Sequence, residues 1–164
     1  MIATLLVEYS RAVPVLFWVA VVAAAVVAWL LHRLGLRSVL FVLAGLSLVA
    51  VLALTLVPES EPAPGGCTVQ FSVPFLGIDT LANIAMTVPL ALFFGVATRH
   101  PLLVFAGVSA LSAVIETVQS LAPVIGRRCD TDDWLMNTIG AALGAGAVLV
   151  MLWIEGRRRA TVSA

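Results

Sequence analysis

Glu116, Gln119, Arg127, Asp130, Asp133 and Asn137 fall within 22 residues of one another in an otherwise apolar chain. A carboxylate, an amide and a guanidinium at such spacing could bind a phosphate, transfer a proton or hold a hard cation. Glu116 and Gln119 are three apart, so they share a helix face. Asn137 follows Asp133 by about one turn. Upstream, Asp79 and Asn83 are four apart and share a face in the same way.

Glu116 has two readings. It is a carboxylate tied to Arg127 or Arg128, or it is a general base, a metal ligand or a headgroup acceptor. Ionisable groups inside a membrane span are costly and are by default functional, which favours the second reading. Asp133 could cap the helix that follows it, and Asp132 is assigned to favouring that helix N-terminus. Asp130 with Glu116 could hold a hard cation, but a hydrogen-bond network with Arg127 is preferred. Zinc is disfavoured, because His32 and His100 fall at the opposite membrane face. No cofactor is expected. Arg127 either clamps a phosphate or pairs with Asp130 or Glu116, while Arg128 reads as a solvated charge. Asn83, Gln119 and Asn137 are interhelical hydrogen-bond partners first and ligand contacts second.

These residues need elements that carry them into a membrane. The chain has 164 residues, of which 62% are hydrophobic and 11% charged, with formal net charge +0. Mean hydropathy is +1.12. A soluble domain of this composition could not cover its surface, and disorder is excluded by the same apolarity. The basic side chains are nine Arg matched by nine acids, so no field attracts nucleic acid. A bilayer of about 30 Å needs roughly 20 apolar residues per helix. Five such runs occur, at 12–31, 38–57, 80–98, 101–123 and 134–154. The expected fold is all-α, a single polytopic membrane domain over 1–164. The first run, preceded by Glu8 and Arg11, is retained as a span rather than a cleaved signal.

Arg33, Arg37, Arg99 and Arg157 to Arg159 cluster at alternate turns, against Arg11, Arg127 and Arg128 at the others. The positive-inside bias places the N-terminus outside and the C-terminus in the cytoplasm. Residues 58–77, which include Glu59, Glu61, Pro58, Pro62, Pro64, Gly65 and Gly66, then form a flexible extracytoplasmic loop. The polar residues above all fall on that outer side. Cys67 and Cys129 also lie there, in different loops, and a disulfide is favoured over two separate thiols. Gly140 and Gly144 would let the fifth helix approach a neighbour closely, bringing Asn137 near the fourth. Pro89 is expected to bend the third. Trp18, Trp29, Trp134 and Trp153 read as an interfacial belt.

The run Glu116-x-x-Gln119, then Gly126-Arg127-x-x-Asp130-x-x-Asp133-x-x-x-Asn137-x-x-Gly140-x-x-x-Gly144, resembles the signature of the VanZ-like family. Asn83, Pro89 and Gly95 resemble its upstream element, so the resemblance spans 79–146, the family's core. It implies a bacterial plasma-membrane protein of the cell envelope, associated with resistance to the glycopeptide teicoplanin. Three functions follow as expectations. The first is binding or modulation of an envelope lipid or a lipidated glycopeptide, because teicoplanin carries an acyl chain. The second is an enzyme acting on a phospholipid or cell-wall precursor headgroup, with Glu116 as general base. No activated Ser or Cys nucleophile supports it. The third is a scaffold or a transporter, the latter needing an oligomer because five helices are few for a solute path.

Overall fold

The computed structural model describes residues 12–59 and 65–162, with side chains placed up to Arg158. Glu8, Arg11, Glu61, Pro62, Pro64 and the side chain of Arg159 lie outside the described residues. Five helices carry the chain: α1 (Val13–Arg33), α2 (Arg37–Leu56), α3 (Ile78–Thr98), α4 (Pro101–Leu121) and α5 (Thr131–Val162). All five contain segments long and apolar enough to cross a membrane. This is an all-α polytopic membrane protein.

Apolarity and length explain the helices, because a membrane span must satisfy its backbone internally. Their ends use local signals. Pro occupies the first turn of α1 and of α4, where a missing N–H costs nothing. The α1–α2 turn is closed by Gly35 at φ 72°, a conformation that favours glycine. α3 runs as one helix through Pro89 and ends at Arg99, whose N–H donates to the Gly95 carbonyl at 2.9 Å. α5 begins earlier than expected, at Thr131, and continues well beyond Ile154.

α3 is the axis of the bundle. Of its apolar window 67% is buried, against 11% for α1. It packs on α1, α2, α4 and α5, and most extensively on α5. Three apolar clusters lie along it. Phe17, Leu81, Ile84, Val88 and Met136 form one. Val51, Leu90, Ala91, Val104, Val108, Ile115 and Ala141 form the second. Leu92, Phe93, Val96 and Ala97 meet Ala28, Leu40, Ala44 and Val148 in the third.

Gly140 and Gly144 make the α3–α5 contact possible, and here the structure corrects the expectation. The glycines face α3, not α4. A Cβ at Gly140 would collide with the Ile84 carbonyl and Thr87 Oγ1, and one at Gly144 would sit 2.7 Å from the Val88 carbonyl oxygen. Lipid supplies little hydrophobic drive for helix association, so close backbone packing must supply it. Thr87 Oγ1 adds a buried hydrogen bond to the Asn137 carbonyl at 2.7 Å. Asn137 reaches α4 by its own side chain, donating Nδ2 to Ser112 Oγ at 3.0 Å.

The two ends of the bundle differ. One carries Arg33, Arg37, Arg99, Arg157 and Arg158. There Glu155 accepts from His32 Nε2 at 2.8 Å and from Arg99 at 3.2 Å. Arg37 Nε donates to the Ala97 carbonyl at 2.8 Å, while Arg33 and Arg157 lie over the rings of Trp29 and Trp153. The other end carries two short strands, β1 (Cys67–Thr68) and β2 (Cys129–Asp130), paired in parallel, with a one-turn 3-10 helix at Pro123–Ile125.

Gly140→Ala should lower the melting temperature in detergent, the overpacking costing about 1–3 kcal/mol. Gly146→Ala, whose Cβ meets nothing within 4 Å, should hold or raise it through helix propensity. Equal shifts in the two variants would refute the close approach.

Candidate functional site

The strand-bearing end collects the polar residues singled out above. Its construction starts with the covalent tie. Cys67 and Cys129 form a disulfide, and Cys67 also pairs with Cys129 in the β1–β2 register. The loop then runs along the start of α5. Gln70 N–H donates to Thr131 Oγ1 at 3.0 Å, and Thr131 Oγ1 donates back to the Gln70 carbonyl at 2.9 Å. Gln70 Nε2 donates to Asp130, and Ser72 N–H donates to Asp132 Oδ1 at 2.6 Å. Earlier in the loop, Glu59 N–H donates to the Ile125 carbonyl. The segment expected to be a flexible excursion is therefore fastened over residues 67–72. Further on, Phe75 takes φ 66°, an unusual value for a residue with a side chain. Its ring stacks on Trp18 at 5.6 Å and lies 6.3 Å from Phe17, docking the loop on α1.

The acids are disposed differently from the expectation. Asp130, immediately before α5, accepts the Asp132 N–H through Oδ1 at 2.8 Å. That is an N-cap bond to the second helical amide. Capping thus falls to Asp130, not to Asp133, while Asp132 lies in the first turn of α5, where its charge favours the helix N-terminus as expected. Asp132 also holds the loop through Ser72. Asp133 accepts from Asn83 Nδ2 across α3 and α5. Glu116 is buried and accepts the Asp130 N–H through Oε2 at 2.8 Å. The expected ion pair of Arg127 with Glu116 or Asp130 is not formed. Arg127 pairs with Glu59 at 3.0 Å and lies 3.4 Å from the Val57 carbonyl. Loop closure brings Glu59 and Arg127 together, which spacing could not reveal.

Two clefts result. The larger, of about 660 Å³, lies between the ends of α2, α3, α4 and α5. Its polar walls are Asn83, Gln119, Asp133, Glu59, Arg127 and Arg128, and its apolar walls include Leu54, Ala82 and Met86. The second, of about 530 Å³, is acidic, with Asp79, Asp130, Asp132 and Asp133 among its walls. Ala82, Asn83 and Asp133 belong to both, so the Asn83–Asp133 bond stands where the clefts adjoin. The acids are strung along the walls, and no three of them converge as a metal site among the described residues. Glu116 and Asn137 line neither cleft.

Gln119 is the most informative group. It is 6% exposed, its Nε2 donates to the Thr55 carbonyl at 2.9 Å, and its Oε1 has no partner. An unpaired buried acceptor costs about 1–3 kcal/mol. Gln119 also lines the larger cleft. Asn137 Oδ1 is likewise unpartnered, but deep in the helix packing. Arg128 is exposed and makes no ion pair among the described residues. The arrangement can receive a small polar group that donates to Gln119 and places negative charge near Arg128. Sequence reasoning missed Ser72, Gln70, Thr87 and Ser112 as partners. Only polarity could have pointed to them, in the loop for Gln70 and Ser72 and within a span for Thr87 and Ser112.

Thiol tagging of denatured, non-reduced protein should label neither cysteine, and tagging after reduction should label both. Asp130→Ala should destabilise by about 1 kcal/mol through loss of the cap, read as a lowered melting temperature. An unchanged value would remove Asp130 from that role.

Over residues 15–153 the sequence matches the family described as VanZ/LLP1. No curated protein and no solved structure matches it.

Proposed function

The chain belongs to the VanZ/LLP1 family, and on that premise we propose that it binds or modulates an envelope lipid or a lipidated glycopeptide, teicoplanin, at the outer face of the membrane. It is a multi-pass membrane protein, and the bacterial plasma membrane is the usual location for this family. The observation that carries the proposal is the cleft of about 660 Å³ at the disulfide-bearing end. Its size suits a small-molecule site. It combines apolar walls, an unpaired buried acceptor and the guanidinium of Arg128, which makes no ion pair among the described residues.

Two independent features support an outward-facing cleft. The opposite end gathers Arg33, Arg37, Arg99, Arg157 and Arg158, as the positive-inside bias asks of a cytoplasmic face. A disulfide at the cleft end suits an oxidising compartment. The geometry favours binding over catalysis. One oxygen of Glu116, the general base of the enzymatic alternative, is occupied by a backbone amide, and the residue does not line the cleft. Arg127, the expected phosphate clamp, is partly neutralised by Glu59. Arg128 is the better anchor for an anionic group.

In a sensitised bacterial host, intact protein should lower teicoplanin susceptibility or retain a defined lipid through purification. An Arg127→Ala, Arg128→Ala variant at matched membrane level should lose that effect. A variant indistinguishable from the intact protein, in both susceptibility and retained lipid, would overturn the proposal.

A further inference from the structure

An apolar cavity of about 430 Å³ lies between α1 and α3, lined from Val13 to Ala24 on one side and from Ile78 to Pro89 on the other. It adjoins the polar cleft, because Ala82 is a wall of both. α3 is the most buried helix, yet Ala82 and Ala85 are exposed on it. On α1, by contrast, the exposed positions Val15, Val19 and Val22, outside the slot, carry larger side chains. Two alanines at the exposed face of the central helix therefore leave a slot rather than a filled surface.

Residues 13–24 and 78–89 each advance about 16 Å along a helix. The hydrocarbon of one leaflet is about 15 Å deep, half of the usual core. A slot of that length fits one acyl chain of a leaflet lipid, entering beside its own headgroup. Gln119 then constrains the head. Its Nε2 faces the Thr55 carbonyl, which can only accept, so the amide orientation is fixed and Oε1 is an acceptor awaiting a donor. A headgroup hydroxyl or ammonium supplies one, and a trimethylammonium does not. Arg128 supplies a partner for the phosphate.

Resting on the reading above, we infer that the ligand is a phospholipid whose headgroup carries O–H or N–H donors, with its head in the Gln119–Arg128 cleft and one acyl chain in the α1–α3 slot. This narrows the proposed ligand to a membrane lipid.

The test uses the full chain in nanodiscs holding equal phosphatidylglycerol, phosphatidylethanolamine and phosphatidylcholine with identical chains, and measures lipid retained by native mass spectrometry. The two donor-bearing lipids should be retained over phosphatidylcholine by roughly fivefold, the equivalent of one hydrogen bond. Gln119→Leu should abolish that preference. Ala85→Trp and Ala20→Trp, which fill the slot from opposite walls, should lose retention of all three lipids while keeping the intact melting temperature. Val22→Trp, on the exposed surface of α1, should behave as the intact protein does. Retention unchanged in both slot variants, or a preference that survives Gln119→Leu, overturns this inference and leaves a cleft ligand standing. Retention of added teicoplanin without any lipid overturns the choice of a lipid alone. Retention of neither overturns both this inference and the proposal beneath it.

Discussion

The backbone contact between α3 and α5 sets the register of everything at the cleft end. Gly140 lies against Ile84 and Thr87, and Gly144 lies against Val88 and Ala91. Outward along the same stripe of α5 come Asn137 and then Asp133. Their counterparts on α3 are Thr87, which bonds the Asn137 carbonyl, and Asn83, which bonds Asp133. A side chain at either glycine would push the helices apart and separate those pairs. Because the surrounding lipid is as apolar as the helices, no solvent force would draw them back. The site is therefore held in place by an absence of side chains two to three turns below it.

The acids at the cleft end illustrate how a membrane protein tolerates charge. Glu116, Asp130 and Asp132 each accept from a backbone N–H at a helix start or loop. Such bonds satisfy donors that secondary structure leaves unpaired, and charged acceptors make them stronger. The carboxylates fasten the disulfide-bonded loop to the start of α5. They also cap that helix at the point where the chain re-enters the bundle. Asp133 differs, because its partner is a side chain on another helix. Among the acids of this run, it alone walls both clefts.

Much of this was legible in the sequence, and the limits have physical causes. Five long apolar runs, four of them uncharged and one carrying only Glu116, implied five helices, since the bilayer fixes span length. The two cysteines, in loops on the same side, implied their bond. The close approach implied by Gly140 and Gly144 is present, but periodicity along one helix cannot say which neighbour it meets, and the glycines face α3 rather than α4. The capping residue was misplaced for a similar reason. Helix boundaries in a polar run such as Asp130-Thr131-Asp132-Asp133 depend on which amide each carboxylate reaches. Arg127 was matched to acids near it in sequence, while its partner is Glu59, 68 positions away. Ala82 and Ala85 carried no signal at all, because an alanine is informative only when its surroundings are known to be exposed.

The opposite end explains why a slot at the cleft end can persist. There His32 of α1, Arg99 after α3 and Glu155 of α5 are joined through one carboxylate, and Arg37 at the start of α2 holds the Ala97 carbonyl of α3. Leu92, Phe93, Val96 and Ala97 fill the space between these helices without an exposed alanine pair. α1 is thus fixed to α3 by polar and apolar contacts at its arginine-rich end. At its other end it is tied through the aromatic contact of Phe17 and Trp18 with Phe75. Between those two attachments, Ala20 and Ala24 of α1 face the slot opposite Ala82 and Ala85 of α3. Closing the gap would require breaking one attachment, whereas filling it with a hydrocarbon chain disturbs neither. An apolar cavity between fixed walls loses dispersion contacts that an occupant restores, and in a bilayer the nearest occupant is always a lipid chain.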